Sequence, residues 1–258
     1  MIDLPRSSYY LDDSNRLAKD KDVVEFLQSE VEKHTRWGFW KCFDRARFLG
    51  HLWNHKRVYR VYLALELNLR RKTKKRVLTR ERQPVEVIME MNNTWSIDFM
   101  SDTLYEGRKF RTFNVMDEAF REVLGIEIDT SLPAVHIVRA LEQIAAWRGY
   151  PKEIRCDNGP EMLAHVFVEW CEAHNIKLRY IEPGEPNQNP FIERFNRTYR
   201  GEVLDAYLFD DLDQVRDITF DWMNSYNEER PHDALNGVPP SIFRKSFLKQ
   251  NSTSDLSI

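Results

Sequence analysis

Asp98 lies between Ile97 and Phe99 in the run TWSIDFMSD, whose β-branched and aromatic residues read as a strand. A carboxylate there is costly to bury unless it is paired or holds a cation. Asp157 stands where the short strand EIRC enters Asn158-Gly159, a turn at a sheet edge. Glu193 follows the breaker-rich loop PGEPNQN and falls in the first turn of a helix, with Asn189 as the expected cap and Pro190 at the first helical position. Acids supplied by a strand, a strand end and a helix start can converge, and hard divalent cations favour such oxygen ligands. Each acid also has a plain structural reading. Asp98 could pair with a buried arginine, and Asp157 could serve only its turn. Glu193 could pair with Arg197 one turn on, for about 0.2–0.5 kcal/mol.

The helix that carries Glu193 adds a second signal. At 100° per residue, Glu193, Arg197 and Arg200 fall within about 60° of one another, while Ile192, Phe195, Tyr199 and Val203 gather on a different side that reads as core. One acid followed by two phosphate-binding cations is not an order a structural helix needs. Asn158 and Gln188 are further polar candidates for ligand contact beside the acids.

The elements that must position these residues can be read along the chain. Residues 20–67 carry a helical period, with Asn54 as the cap of HKRVYRVYLALEL. After a polar segment come TWSIDFMSD, KFRTFNVMD and FREVLGIEID, three short strands separated by turn-like residues. Then PAVHIVRALEQIAAWRGY reads as a helix, EIRC as a strand, LAHVFVEWCEAHN as a helix and IKLRYIE as a strand. The segment LDQVRDITFDWMNSYN is a last long amphipathic helix. Three antiparallel strands followed by β-α-β crossovers predict an α/β domain, a mixed sheet covered by helices.

The expected organisation is a helical, helix-turn-helix-like region over 1–67, a basic linker over 68–86, the mixed-sheet domain over 87–245 and a flexible tail over 246–258. The net charge of −3 is unevenly spread. From His55 to Gln83 eleven Lys or Arg face two Glu, so that segment is +9 and the rest −12. Such a stripe suits phosphate contacts, and Lys56, Arg57, Arg60, Arg70, Arg71 and Lys72 are its candidates; a solvated linker is the rival reading. The opening MIDLPRSSYYLDDSNR lacks the apolar core of a secretory signal, no run is long enough to span a membrane, and three scattered cysteines do not suggest a disulfide framework. A soluble, intracellular protein is expected. His51 and His55 lack the partners of a zinc site, and zinc is rejected.

The motifs WSIDF (95–99), CDNGPE (156–161), PNQNPFIERFNRTYR (186–200) and YNEERPH (226–232), with Leu235 and Pro239 beyond, together resemble the OrfB transposases of the bacterial insertion sequence three group, relatives of retroviral integrases. The resemblance runs from about residue 90 to 245, and thirty-five residues separate Asp157 from Glu193, the family's interval. It implies a ribonuclease H-like five-stranded sheet and a triad of acids, here Asp98, Asp157 and Glu193, binding two Mg²⁺, with Mn²⁺ as a substitute. It implies Asp98 shared between the ions, and DNA cleavage followed by joining through the exposed 3′-hydroxyl. Element ends and target DNA would be partners, together with further copies of the chain and an upstream OrfA-type product, in a bacterial cytoplasm and nucleoid. The chain departs from the family at Cys156, at Pro190 and in DEAFRE (117–122), where Asp-x-Phe-Ser-Arg is usual. The rival functions are a nuclease of the same fold that does not join, and a non-catalytic DNA-binding regulator of transposition.

Overall fold

A computed structural model describes residues 17–69, 87–181 and 189–254. Arg70, Arg71, Lys72, Gln188, most of the expected linker and the loop before Asn189 lie outside the described residues. The chain divides into two compact units, Met1–Arg76 and Val77–Ile258.

In the first unit the continuous helical period resolves into three helices, α1 (Lys21–Lys33), α2 (Phe39–Phe48) and α3 (His55–Ala64). The breaks fall at Gly38, in extended backbone, and at Gly50, which adopts φ +91°. Three short helices let Val23, Leu27, Trp37, Cys42, Val58, Val61 and Tyr62 share one core, which a single rod could not do. Asn54 caps α3 as expected, its side chain accepting from Lys56 N at 2.9 Å. His51 precedes α3 and stacks on Trp53 at 4.0 Å, so it does not share a helix with His55.

The second unit is built on β1 (Thr94–Thr103), β2 (Lys109–Asp117), β3 (Glu122–Asp129), β4 (Glu153–Cys156) and β5 (Lys177–Tyr180), in the order β3-β2-β1-β4-β5. The first three strands are antiparallel neighbours, while β4 runs parallel to both β1 and β5. This mixed sheet is the ribonuclease H-like arrangement. Its helices are α4 (Ala134–Arg148), α5 (His165–Ala173), α6 (Pro190–Tyr199), α7 (Leu212–Glu228) and α8 (Pro240–Ser254).

Alternation along the strands splits the core in two. Trp95, Ile97, Phe113, Val115, Ile154 and Cys156 face α4 and α5 with Ile137, Leu141 and Phe167. Phe110, Met116, Val123 and Ile128 face the other way, against Ile192, Phe195 and Tyr199 of α6 and Val215 and Tyr226 of α7. Gly125 sits opposite an irregularity in β2; a Cβ there would lie 2.8 Å from Ile144 Cδ1, so glycine lets α4 approach. Within the expected tail α8 continues to Ser254; Phe247 packs on Phe120, and Arg244 further back pairs with Glu122. Cys42, Cys156 and Cys171 are all buried and free.

Candidate active site

β1 pairs β4 with Ser96 beside Arg155. Asp98 lies two residues further along β1, and Asp157 just past the end of β4. Alternation puts Asp98 on the sheet face that α6 covers, the face of Ser96 and Asn114. Asn114 is the cross-strand partner of Asp98 on β2 and is fully buried. It donates to Asn196 Oδ1 at 2.7 Å, and Asn196 Nδ2 donates to Asp98 Oδ2 at 2.6 Å. This relay fastens α6 to the sheet one turn beyond Glu193. Asn114 and Asn196 were not singled out from the sequence, although an amide inside the apolar strand KFRTFNVMD was a signal.

The Asp98 carboxyl is pushed up to about 6, chiefly by burial. The Phe99 N–H and Asn196 amide oppose that shift, while the charges of Asp157 and Glu193 add to it. Charges from two acids, one of them 95 positions away, thus act on Asp98. No lysine or arginine among the described residues pairs with Asp98; its hydrogen bonds come from Phe99 N and Asn196. Glu193 is also raised, again by burial, with Arg197 opposing. Among the described residues no three His, Cys, Asp or Glu side chains already stand in an arrangement that could hold a metal. Asp98 accepts from Phe99 N and Asn196, and Asp157 from Gly159 N. The donor set itself fits a hard divalent cation: hard oxygens, mutual repulsion and no cationic partner for Asp98.

The loop after Asp157 is well held. Asn158 Nδ2 donates to Ile181 O at 3.0 Å, and Glu161 pairs with Arg111, whose guanidinium lies 4.1 Å from the Phe99 ring. Pro190 opens α6 and Asn189 stands at its N-cap position as read, but the Asn189 side chain makes no capping bond; its Oδ1 is buried without a hydrogen-bond partner. Arg197 is exposed on α6. Arg200 follows in helical backbone, and a π-helical turn begins there and runs to Leu204. Its guanidinium bonds Asp102 at 3.1 Å and the Ser101 carbonyl at 2.7 Å. In the first unit, Lys56 is exposed, whereas Arg57 and Arg60 both pair with the buried Asp20.

Such a sheet, with carboxylates gathered beside its central strands, is the core of DDE-type polynucleotidyl transferases. The integrase core domain family matches residues 89–186 and, in a second segment, 174–240. An insertion element IS407 protein of Burkholderia multivorans is 38% identical over 99% of this chain and 91% of its own length. An insertion element IS476 protein of Xanthomonas euvesicatoria is 37% identical over 90% of the chain, which spans 66% of that relative's length. A putative transposase InsK of Escherichia coli insertion element IS150 is 23% identical over 94% of the chain and 90% of its own. The chain belongs to the integrase core domain family, as an insertion-element transposase of the insertion sequence three group. Among the described residues no helix is long and apolar enough to cross a membrane.

Proposed function

We propose that the chain cleaves the ends of an insertion element and joins the exposed 3′-hydroxyls to target DNA, with Asp98, Asp157 and Glu193 holding two divalent cations, Mg²⁺ or Mn²⁺. The observation that carries this reading is Asp98: a half-buried carboxyl with no cationic partner, raised to about 6, and repelled by two further acids. When bound, paired divalent cations stabilise the attacking and leaving oxygens of an in-line displacement. This chain's own part is to hold three carboxylates at fixed spacing, two through sheet register and one through α6. Asn196 and the Phe99 N–H hold the Asp98 carboxylate in one orientation. Arg197 lies one turn beyond Glu193, where it would meet a backbone phosphate.

The first unit, expected to be helix-turn-helix-like, would add DNA contact through Lys56, with Arg57 and Arg60 free to do so only by leaving Asp20. The basic residues Arg70, Arg71 and Lys72 and the loop residue Gln188 would serve the same end. Action as an oligomer on DNA, an upstream OrfA-type partner and a cytoplasmic location complete the reading. The test is a strand-transfer assay on element-end DNA with Mg²⁺ or Mn²⁺. Joined products that vanish in Asp157→Asn and Glu193→Gln support it. Cleavage without joining would leave a nuclease, and DNA binding without cleavage would leave a regulator.

A further inference from the structure

The turn between β2 and β3 reaches the element that carries each of the three acids. Glu118 Oε1 accepts from Ser96 Oγ and faces Arg155 Nη1 at 3.4 Å, with both charged side chains buried. Ser96 stands two residues before Asp98, and Arg155 two before Asp157. On β1, Ser96 therefore projects from the same face as Asp98, one pleat away, while Asp157 follows directly on the end of β4. The Glu118 N–H also donates to Thr94 O at 3.0 Å, tying the turn to the start of β1. Arg121 donates to the Glu118 carbonyl and lays its guanidinium 3.6 Å from the Phe191 ring centroid. Phe191 stands two residues before Glu193, in the first turn of α6. Arg121 itself holds φ 56°, a left-handed backbone that glycine enters freely and arginine does not. A large side chain kept there at conformational cost points to what the side chain does.

We propose that Glu118 and Arg121 are positioning residues that set the spacing of Asp98, Asp157 and Glu193. Glu118 locks β1 to β4 one pleat short of their acids, and Arg121 clamps the first turn of α6 to the same turn by a cation–π contact. DEAFRE, the segment where the chain departs from its family's pattern, thereby becomes part of the site's scaffold. This inference rests on the metal-binding reading of the three acids. Residues that orient ligands from behind typically change metal affinity 10–100-fold when altered.

The test uses the full chain and Mn²⁺ as probe. Glu118→Gln keeps the acceptor for Ser96 but removes the charge facing Arg155. Arg121→Gly relieves the backbone while deleting the clamp, and Arg121→Lys restores a cation. Phe191→Leu removes the ring without touching the turn, so it tests the same link even if Arg121→Gly fails to fold. Val215→Ala, at a buried position in α7, is the stability control. The readouts are the Mn²⁺ midpoint of the shift in unfolding temperature, and DNA cleavage resolved into kcat and KM. Glu118→Gln, Arg121→Gly and Phe191→Leu are expected to raise the midpoint by about 10-fold or more and lower kcat, with KM for DNA near wild type. Arg121→Lys is expected to recover much of the loss. Val215→Ala should lower the unfolding temperature and leave the midpoint in place. Wild-type midpoints in the folded variants, or an equal shift in Val215→Ala, overturn the proposal. A wild type that ignores Mn²⁺, matching Asp98→Asn, overturns instead the metal reading beneath it.

Discussion

Replacing Asp98 by Asn separates a metal site from a structural carboxylate through the pH dependence of stability. Burial and two neighbouring acids raise the folded pKa of Asp98 from 3.8 to about 6. Between those values the folded state binds a proton that the unfolded state has released. Stability conferred by that proton is complete below about pH 4 and is lost as pH rises through about 6. The shift of about two units makes ionised Asp98 cost roughly 3 kcal/mol at pH 8. The Asp98→Asn change removes the cost but turns an amide N–H toward Asn196 Nδ2, losing one hydrogen bond worth about 1 kcal/mol. In EDTA the variant should therefore be more stable than wild type by about 2 kcal/mol at pH 8, or about 4–8 °C for a unit of this size. Near pH 4 the order should reverse, by about 1 kcal/mol.

Thermal unfolding of both proteins in EDTA from pH 4 to 8, and again with excess Mn²⁺, measures each term. Mn²⁺ at about 100 times its Kd should stabilise wild type by about 2.7 kcal/mol and do much less for Asp98→Asn. If Asp98 instead served a buried ion pair, the variant would lose about 3–5 kcal/mol with or without metal. A variant less stable than wild type in EDTA at pH 8, or a difference that does not move between pH 4 and 8, would refute the reasoning.

Arg197→Ala should weaken DNA binding at all sequences and lower its salt slope by about one, read by anisotropy across a salt series. Arg200→Ala should lower the slope less, because Asp102 and Ser101 O already engage that guanidinium; the opposite ranking would mean Arg200 exchanges them for phosphate. Truncation after Ser246 removes Phe247 from Phe120 and should cost about 1–3 kcal/mol by urea unfolding, whereas loss of a mere tail would cost nothing.

The strands were legible because alternation marks a half-buried sheet, and β2 occupies the very residues of KFRTFNVMD. Asp98 stood out as a charge between Ile97 and Phe99 in an apolar strand, and Glu193 as an acid in the first turn of a helix behind a breaker-rich loop. What was not legible lay where local and tertiary preferences part. The period over 20–67 is real, yet Gly38 and Gly50 divide it so that three helices can enclose a core. Arg200 was read as a phosphate-facing cation, yet Asp102 and the Ser101 carbonyl of β1 engage its guanidinium. Asn189 takes the N-cap position as read, but its side chain turns into the protein. Within the expected tail α8 runs on to Ser254, with Phe247 against Phe120. None of these is a failure of propensity. Each is settled by a contact with a residue far off in sequence.

The division of labour among the acids follows from how each is held. Asp98 stands on β1 and Asp157 just past the end of its parallel neighbour β4, so the pairing of these strands bears on where both acids lie. A one-residue slip of β4 would turn its side chains to the opposite face, and the buried alternation of β1 and β4 guards that register. Glu193 has no such ladder. Its helix is located by Ile192, Phe195 and Tyr199 in the core, and core packing alone tolerates sliding by fractions of an ångström. Directional bonds remove that freedom. Asn114 and Asn196 pin α6 to the partner strand of Asp98, and Arg121 pins its first turn through Phe191. Buried amides and a strained arginine are costly, and a domain that needed only stability could replace them with apolar residues. Their presence between α6 and the sheet is what a site requiring a helix-borne acid to meet two acids carried by the strands would demand.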